Sequence, residues 1–110
     1  MDEFVRKAAG IGLPVIVLLI TMSTTGLFGA AAITASLALL GPGGMIGGIV
    51  LLGIVGVAGE MLTKFGLEAV LIAIYQERQR KGESAKYLLR EISKLPLSGD
   101  LKRKLRDAIA

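Results

Sequence analysis

The residues best placed to do chemistry are Glu60, Lys64 and Glu68, whose i, i+4, i+8 spacing sets all three on one face of a continuing helix. Paired carboxylates are raw material for acid–base work, and a charge row within a membrane marks an aqueous path or a bundle interior. Lys64 sits between the two acids, which suits mutual neutralisation better than proton transfer, because a nearby cation holds a carboxylate in its charged form. At a membrane surface the same row is the ion-paired, solvated side of an amphipathic helix. Elsewhere chemistry is sparse. The chain has no cysteine and no histidine, which removes disulfides, thiolate metal sites and the commonest general base. No phosphate-binding loop, dinucleotide fingerprint, metal-ligand spacing or nucleophile elbow occurs. The expectation is a protein that is not an enzyme, with no catalytic residue, no metal and no cofactor.

The element that must position this row is the stretch from Ala8 to Gly59, 52 residues without a charged side chain. A bilayer's apolar core is about 30 Å thick and takes about 20 helical residues to cross, so the run is long enough for two crossings. Helices of a soluble fold need a polar face, and this run supplies only glycine, alanine, serine and threonine. An all-α fold is expected: two long, glycine-rich membrane helices forming a hairpin, then two short amphipathic helices. The chain divides into an interfacial segment at 1–12, the hairpin at 13–75 with its turn at 41–44, and a basic helical tail at 76–110. A signal peptide fits poorly, because Asp2 and Glu3 oppose the basic start that such a segment needs.

Pro14 suits the first turn of a helix. Leu13 to Leu40 would extend about 42 Å, more than a crossing requires, so tilt or a break near Ser23-Thr24-Thr25-Gly26 is expected. Those hydroxyls are read mainly as satisfying their own helix's carbonyls, and alternatively as a polar strip along a conduit. Gly26, Ala30, Thr34 and Ala38 recur every fourth residue. Gly41-Pro42-Gly43-Gly44 has the composition of a turn. Beyond it, Gly44, Gly47, Gly48, Gly53 and Gly56 open further close-approach surfaces. In lipid, small residues let helix backbones meet, so these rows point to tight packing within the hairpin and to a homo-oligomer.

From Gln76 onward ten lysines and arginines stand against five acids. The positive-inside rule then places the tail in the cytoplasm and, with two crossings, the amino terminus beside it, at a bacterial inner membrane. Ser84 can cap a helix whose Ala85, Leu88, Leu89, Ile92 and Leu95 share a face. Pro96 ends it, and Ser98 can cap a second with Leu101, Leu105 and Ile109 on a stripe. Lys86, Arg90, Lys94, Lys102, Arg103, Lys104 and Arg106 are the residues expected to touch anionic lipid or a cytoplasmic protein partner. Nucleic acid is disfavoured: the charge is mixed and no aromatic platform accompanies it.

The succession GLPVIVLLITMSTTGLFGAAAITASLALLG, GGMIGGIVLLGIVG, KFGLEAV and KGESAKYLLREISKLPLSGDLKRKL resembles a set of short bacterial proteins built from a glycine-rich apolar half and a basic helical tail. The resemblance covers almost the whole chain and implies no activity for any residue. Three functions are therefore expected to compete. One is a self-associating membrane protein, in its sharper form a pore or membrane-perturbing assembly. The others are a membrane anchor or accessory subunit whose tail binds a partner, and a pilin-like filament subunit.

Overall fold

The computed structural model describes residues 1–25 and 56–109, and these are all-α. Helix α1 spans Asp2–Ile11 and α2 Leu13–Thr25. The described part of α3 covers 56–65, followed by α4 at Leu67–Arg80, α5 at Ala85–Ser93 and α6 at Gly99–Ile109. The proposed 41–44 turn, the small-residue positions Gly26, Ala30, Thr34, Ala38, Gly44, Gly47, Gly48 and Gly53, and their packing lie outside the described residues. Gly56 is described and exposed, and among the described residues nothing approaches within 4 Å of where a Cβ would sit.

Helix α4 is the keystone. Its buried residues Val70, Leu71, Ile74, Tyr75 and Arg78 follow the spacing of one helical face. Helices α1, α2, α5 and α6 all pack against it. Helix α1 offers Phe4, Val5, Ala8 and Ala9, again a single face. A segment expected to lie at the membrane surface therefore has a tertiary partner, and Lys81 Nζ donates to the Arg6 carbonyl across that contact at 3.2 Å. Because α4 runs unbroken from Leu67 to Arg80, helix and packing continue across the boundary drawn between residues 75 and 76.

The tail helices form where their caps predict. Ser84 Oγ accepts from the Tyr87 amide and Ser98 Oγ from the Leu101 amide, each at 3.2 Å. Each bond satisfies an amide at a helix start that has no intrahelical partner. Leu88 and Ile92 from α5, Leu95 just past its end, and Leu105 and Ile109 from α6 join the common core. Two glutamine side chains of α4 close the far end of α6, Gln76 Nε2 donating to the Ala108 carbonyl at 3.3 Å and Gln79 Nε2 to the Ile109 carbonyl at 3.1 Å. The hydroxyls of Thr21 and Thr63 donate to their own helix's carbonyls four residues back, at 2.8 and 2.9 Å, and that of Thr24 does the same.

Among the described residues no single helix is long and apolar enough to cross a membrane. Helices α1 and α2 together reach that length and apolar character, but they are bent by 117° at Gly12. The expectation of one helix continuing past Glu60 to Glu68 is corrected by Gly66. Its φ of 86° lies in the left-handed region, where glycine carries no Cβ penalty, and it separates α3 from α4.

Candidate functional site

The correction at Gly66 disperses the predicted charge row. Glu60 and Lys64 remain neighbours on α3, 3.8 Å apart and well exposed. Glu68 belongs to α4 and faces Lys104 of α6 at 3.6 Å. Lys104 also lies 3.4 Å from Asp100, and these two acids hold its ammonium above the usual lysine range, Asp100 more than Glu68. All of these groups are exposed, so solvent screening leaves each pair little to contribute to the fold. The three residues do not line one helix face.

The chain instead concentrates its polar chemistry at Arg78. Both ends of the cluster begin as charges on apolar stripes. Arg78 extends the Leu71, Ile74, Tyr75 series of α4, and Glu91 falls between Leu88 and Ile92 on the inward face of α5. The two helices face each other, and the charges meet. Arg78 Nη1 donates to Glu91 Oε2 at 2.5 Å and Nη2 to Glu91 Oε1 at 3.1 Å. The same guanidinium donates to Glu83, from Nε to Oε2 at 2.7 Å and from Nη2 to Oε1 at 2.9 Å. Tyr75 completes the cluster by donating its hydroxyl to Glu91 Oε2 at 2.6 Å, with the Arg78 guanidinium 5.3 Å from its ring centre.

Backbone geometry sets Glu83 in place. The Glu83 amide donates to the Arg78 carbonyl at 3.1 Å, and the turn this closes passes through Gly82 at φ 113°. Arg78 and Glu91 side chains are 4% and 8% exposed, whereas Glu83 is 37% exposed. Burial alone disfavours the guanidinium's charge. Hydrogen bonds and charge from Glu83 and Glu91 more than offset it and push Arg78 above the ordinary arginine value. The hydrogen bonds from Arg78 hold the Glu83 carboxyl below the usual carboxylate range. With every donor and acceptor partnered, the cluster fits a fixed joint between α4 and α5 better than a reactive centre.

The seven basic residues singled out for contact divide into two groups. Arg103 pairs with Asp100, Lys104 with Asp100 and Glu68, and Lys102 Nζ donates to the Ser93 carbonyl at 3.0 Å. Lys86, Arg90, Lys94 and Arg106 are exposed and have no ion-pair partner among the described residues. The first three repeat at i, i+4, i+8 on α5 and its cap, forming an outward stripe opposite the buried Leu88 and Ile92, with Glu91 at the edge between the two. Beside it a cleft of about 310 Å³ is lined by Leu13, Tyr87, Arg90, Glu91 and Lys94.

Sequence reasoning placed Arg78 only among the charges flanking an apolar helix and missed its partners. The signal available was an opposite charge on each of two apolar stripes, at Arg78 and at Glu91. Comparison with protein-family models, with curated proteins and with solved structures finds no match for this chain.

Proposed function

We propose that this protein is a small integral membrane protein that self-associates through its glycine-rich segment and holds a folded, basic helical unit at the cytoplasmic surface. The observation that carries this reading is the packing of α1 against α4. Helix α1 contains the start of the uncharged run and α4 follows its end, and a chain that crosses a bilayer twice must bring the two ends of the crossing segment back to the same face. The basic excess of the tail supports a cytoplasmic placement by the positive-inside rule. The small-residue rows support close helix–helix contact between copies.

A second reading, an anchor or accessory subunit, is favoured by the unpartnered stripe of Lys86, Arg90 and Lys94. Here the hairpin holds the tail against anionic lipid or a cytoplasmic protein. The pore form of the first reading draws less support, because Glu60, Lys64 and Glu68 lack a continuous helix.

Reconstitution separates these functions. Conductance across planar bilayers that is lost on Gly48→Leu supports a pore. A defined oligomer in nanodiscs that dissociates on Gly48→Leu without conducting supports self-association alone. A partner that co-purifies despite Gly48→Leu, but is lost with the 85–110 segment, supports the anchor. A monomer in nanodiscs, indifferent to Gly48→Leu, overturns the self-association.

A further inference from the structure

We propose that the cleft between the start of α2 and the outer face of α5 binds the phosphate of an anionic phospholipid headgroup. The inference rests on the membrane placement above and assigns that placement a specific contact. Arg90 and Lys94 stand one helical turn apart on its wall, and neither has an acid at ion-pair distance among the described residues. Lys86 extends the same stripe by another turn.

Glu91 also lines the cleft, but its two carboxylate oxygens already accept from Arg78 and Tyr75. Arg78 shared between Glu83 and Glu91 leaves one net negative charge in the cluster. The three cations of the stripe outweigh it, so the face stays positive.

The remaining lining is what a headgroup region requires. Tyr87 is 55% exposed, and an amphipathic phenol ring favours the boundary between headgroups and acyl chains. Leu13, 42% exposed, is the first residue of α2 and stands near the beginning of the uncharged run. Apolar contact is thus available next to the two cations, as a phospholipid offers apolar chains next to its phosphate. A free inorganic anion has no use for the leucine or the ring.

The test uses the full chain in vesicles. Tryptophan is absent from the sequence, so a Tyr87→Trp reporter gives a single indole signal. Bromine is placed on the acyl chains of either the phosphatidylglycerol or the phosphatidylcholine in a mixed vesicle, at equal mole fraction. The site predicts stronger quenching from the brominated anionic lipid. Each cation near anionic lipid is worth about a five-fold preference, so Arg90→Gln should lower the selectivity about five-fold and Arg90→Gln with Lys94→Gln about thirty-fold. Arg103→Gln, at a cation already paired with Asp100, should leave it unchanged.

Equal quenching by the two lipids overturns the site, as does a preference that survives loss of both cations. Loss of the preference in millimolar inorganic phosphate at constant ionic strength also overturns it, in favour of a free-anion site. Flotation with pure phosphatidylcholine vesicles after an alkaline wash keeps the two levels apart. Protein that floats but shows no lipid preference loses only the headgroup site, whereas protein left in the aqueous layer loses the membrane placement and the site together.

Discussion

Helix α5 carries charge in two settings, one buried and paired and the other exposed and unpaired, and uses it in opposite ways in each. On the inner side Glu91 is buried and meets the guanidinium of Arg78 and the hydroxyl of Tyr75. On the outer side Lys86, Arg90 and Lys94 stand exposed with no acid within ion-pair distance among the described residues. Helix α6 sharpens the contrast, because Arg103 and Lys104 on its exposed surface are both paired. Charge that is buried and paired sets how α4 and α5 fit together. Charge left exposed and unpaired contributes little to the fold, and so is free to recognise something else.

Substitutions should separate these roles, with the largest effect on the inner side. Arg78→Met strands Glu91 as a buried carboxylate without a cation, and stability measured by chemical unfolding in detergent should fall by about 3–5 kcal/mol. Leu88→Ala, beside Glu91 in the same core, should cost about 2–5 kcal/mol through a cavity, with no change in how stability varies with pH. Tyr75→Phe removes one hydrogen bond to a charged acceptor but leaves Glu91 its arginine, so a smaller loss of about 1.5–3 kcal/mol is expected.

Acid should weaken the same joint. The Glu83 carboxyl lies below its ordinary value of 4.5 in the folded chain, held there by hydrogen bonds from Arg78. Its contribution is therefore complete above about pH 4.5 and is lost as the pH falls through the lower, folded value. Unfolding followed from pH 6 to pH 2 should show a steeper decline for the unaltered chain than for Glu83→Gln. The smallest effect on stability belongs to the outer stripe. Replacing Lys86, Arg90 and Lys94 together by glutamine should move stability by no more than about 0.5 kcal/mol per site, while the lipid preference collapses.

The short tail helices were legible because their signals are local. A capping serine, an apolar face and Pro96 all lie within a few residues of what they determine. Arg78 was not legible in the same way. Viewed along the chain it belongs to a polar cluster after an apolar helix, and its partner Glu91 lies thirteen residues away on another helix. Periodicity shows that both occupy apolar stripes but not that the stripes face each other. The same limit hid α1, whose Phe4, Val5, Ala8 and Ala9 have a helical pattern but whose partner follows the whole uncharged run. Gly66 is a different failure. A glycine within an apolar helical pattern is often tolerated, and only the positive φ reveals a break. Losing that continuity separated Glu68 from Glu60 and Lys64.

Membrane placement can be tested from the two sides of a bilayer. Because the chain contains no cysteine, Gly43→Cys and Lys94→Cys each introduce a single thiol for a membrane-impermeant maleimide applied to intact bacterial cells. The hairpin predicts labelling at position 43 from outside, and labelling at position 94 only after the inner membrane is opened. Both positions reacting from the same side, or both recovered in the aqueous fraction of broken cells, would contradict it.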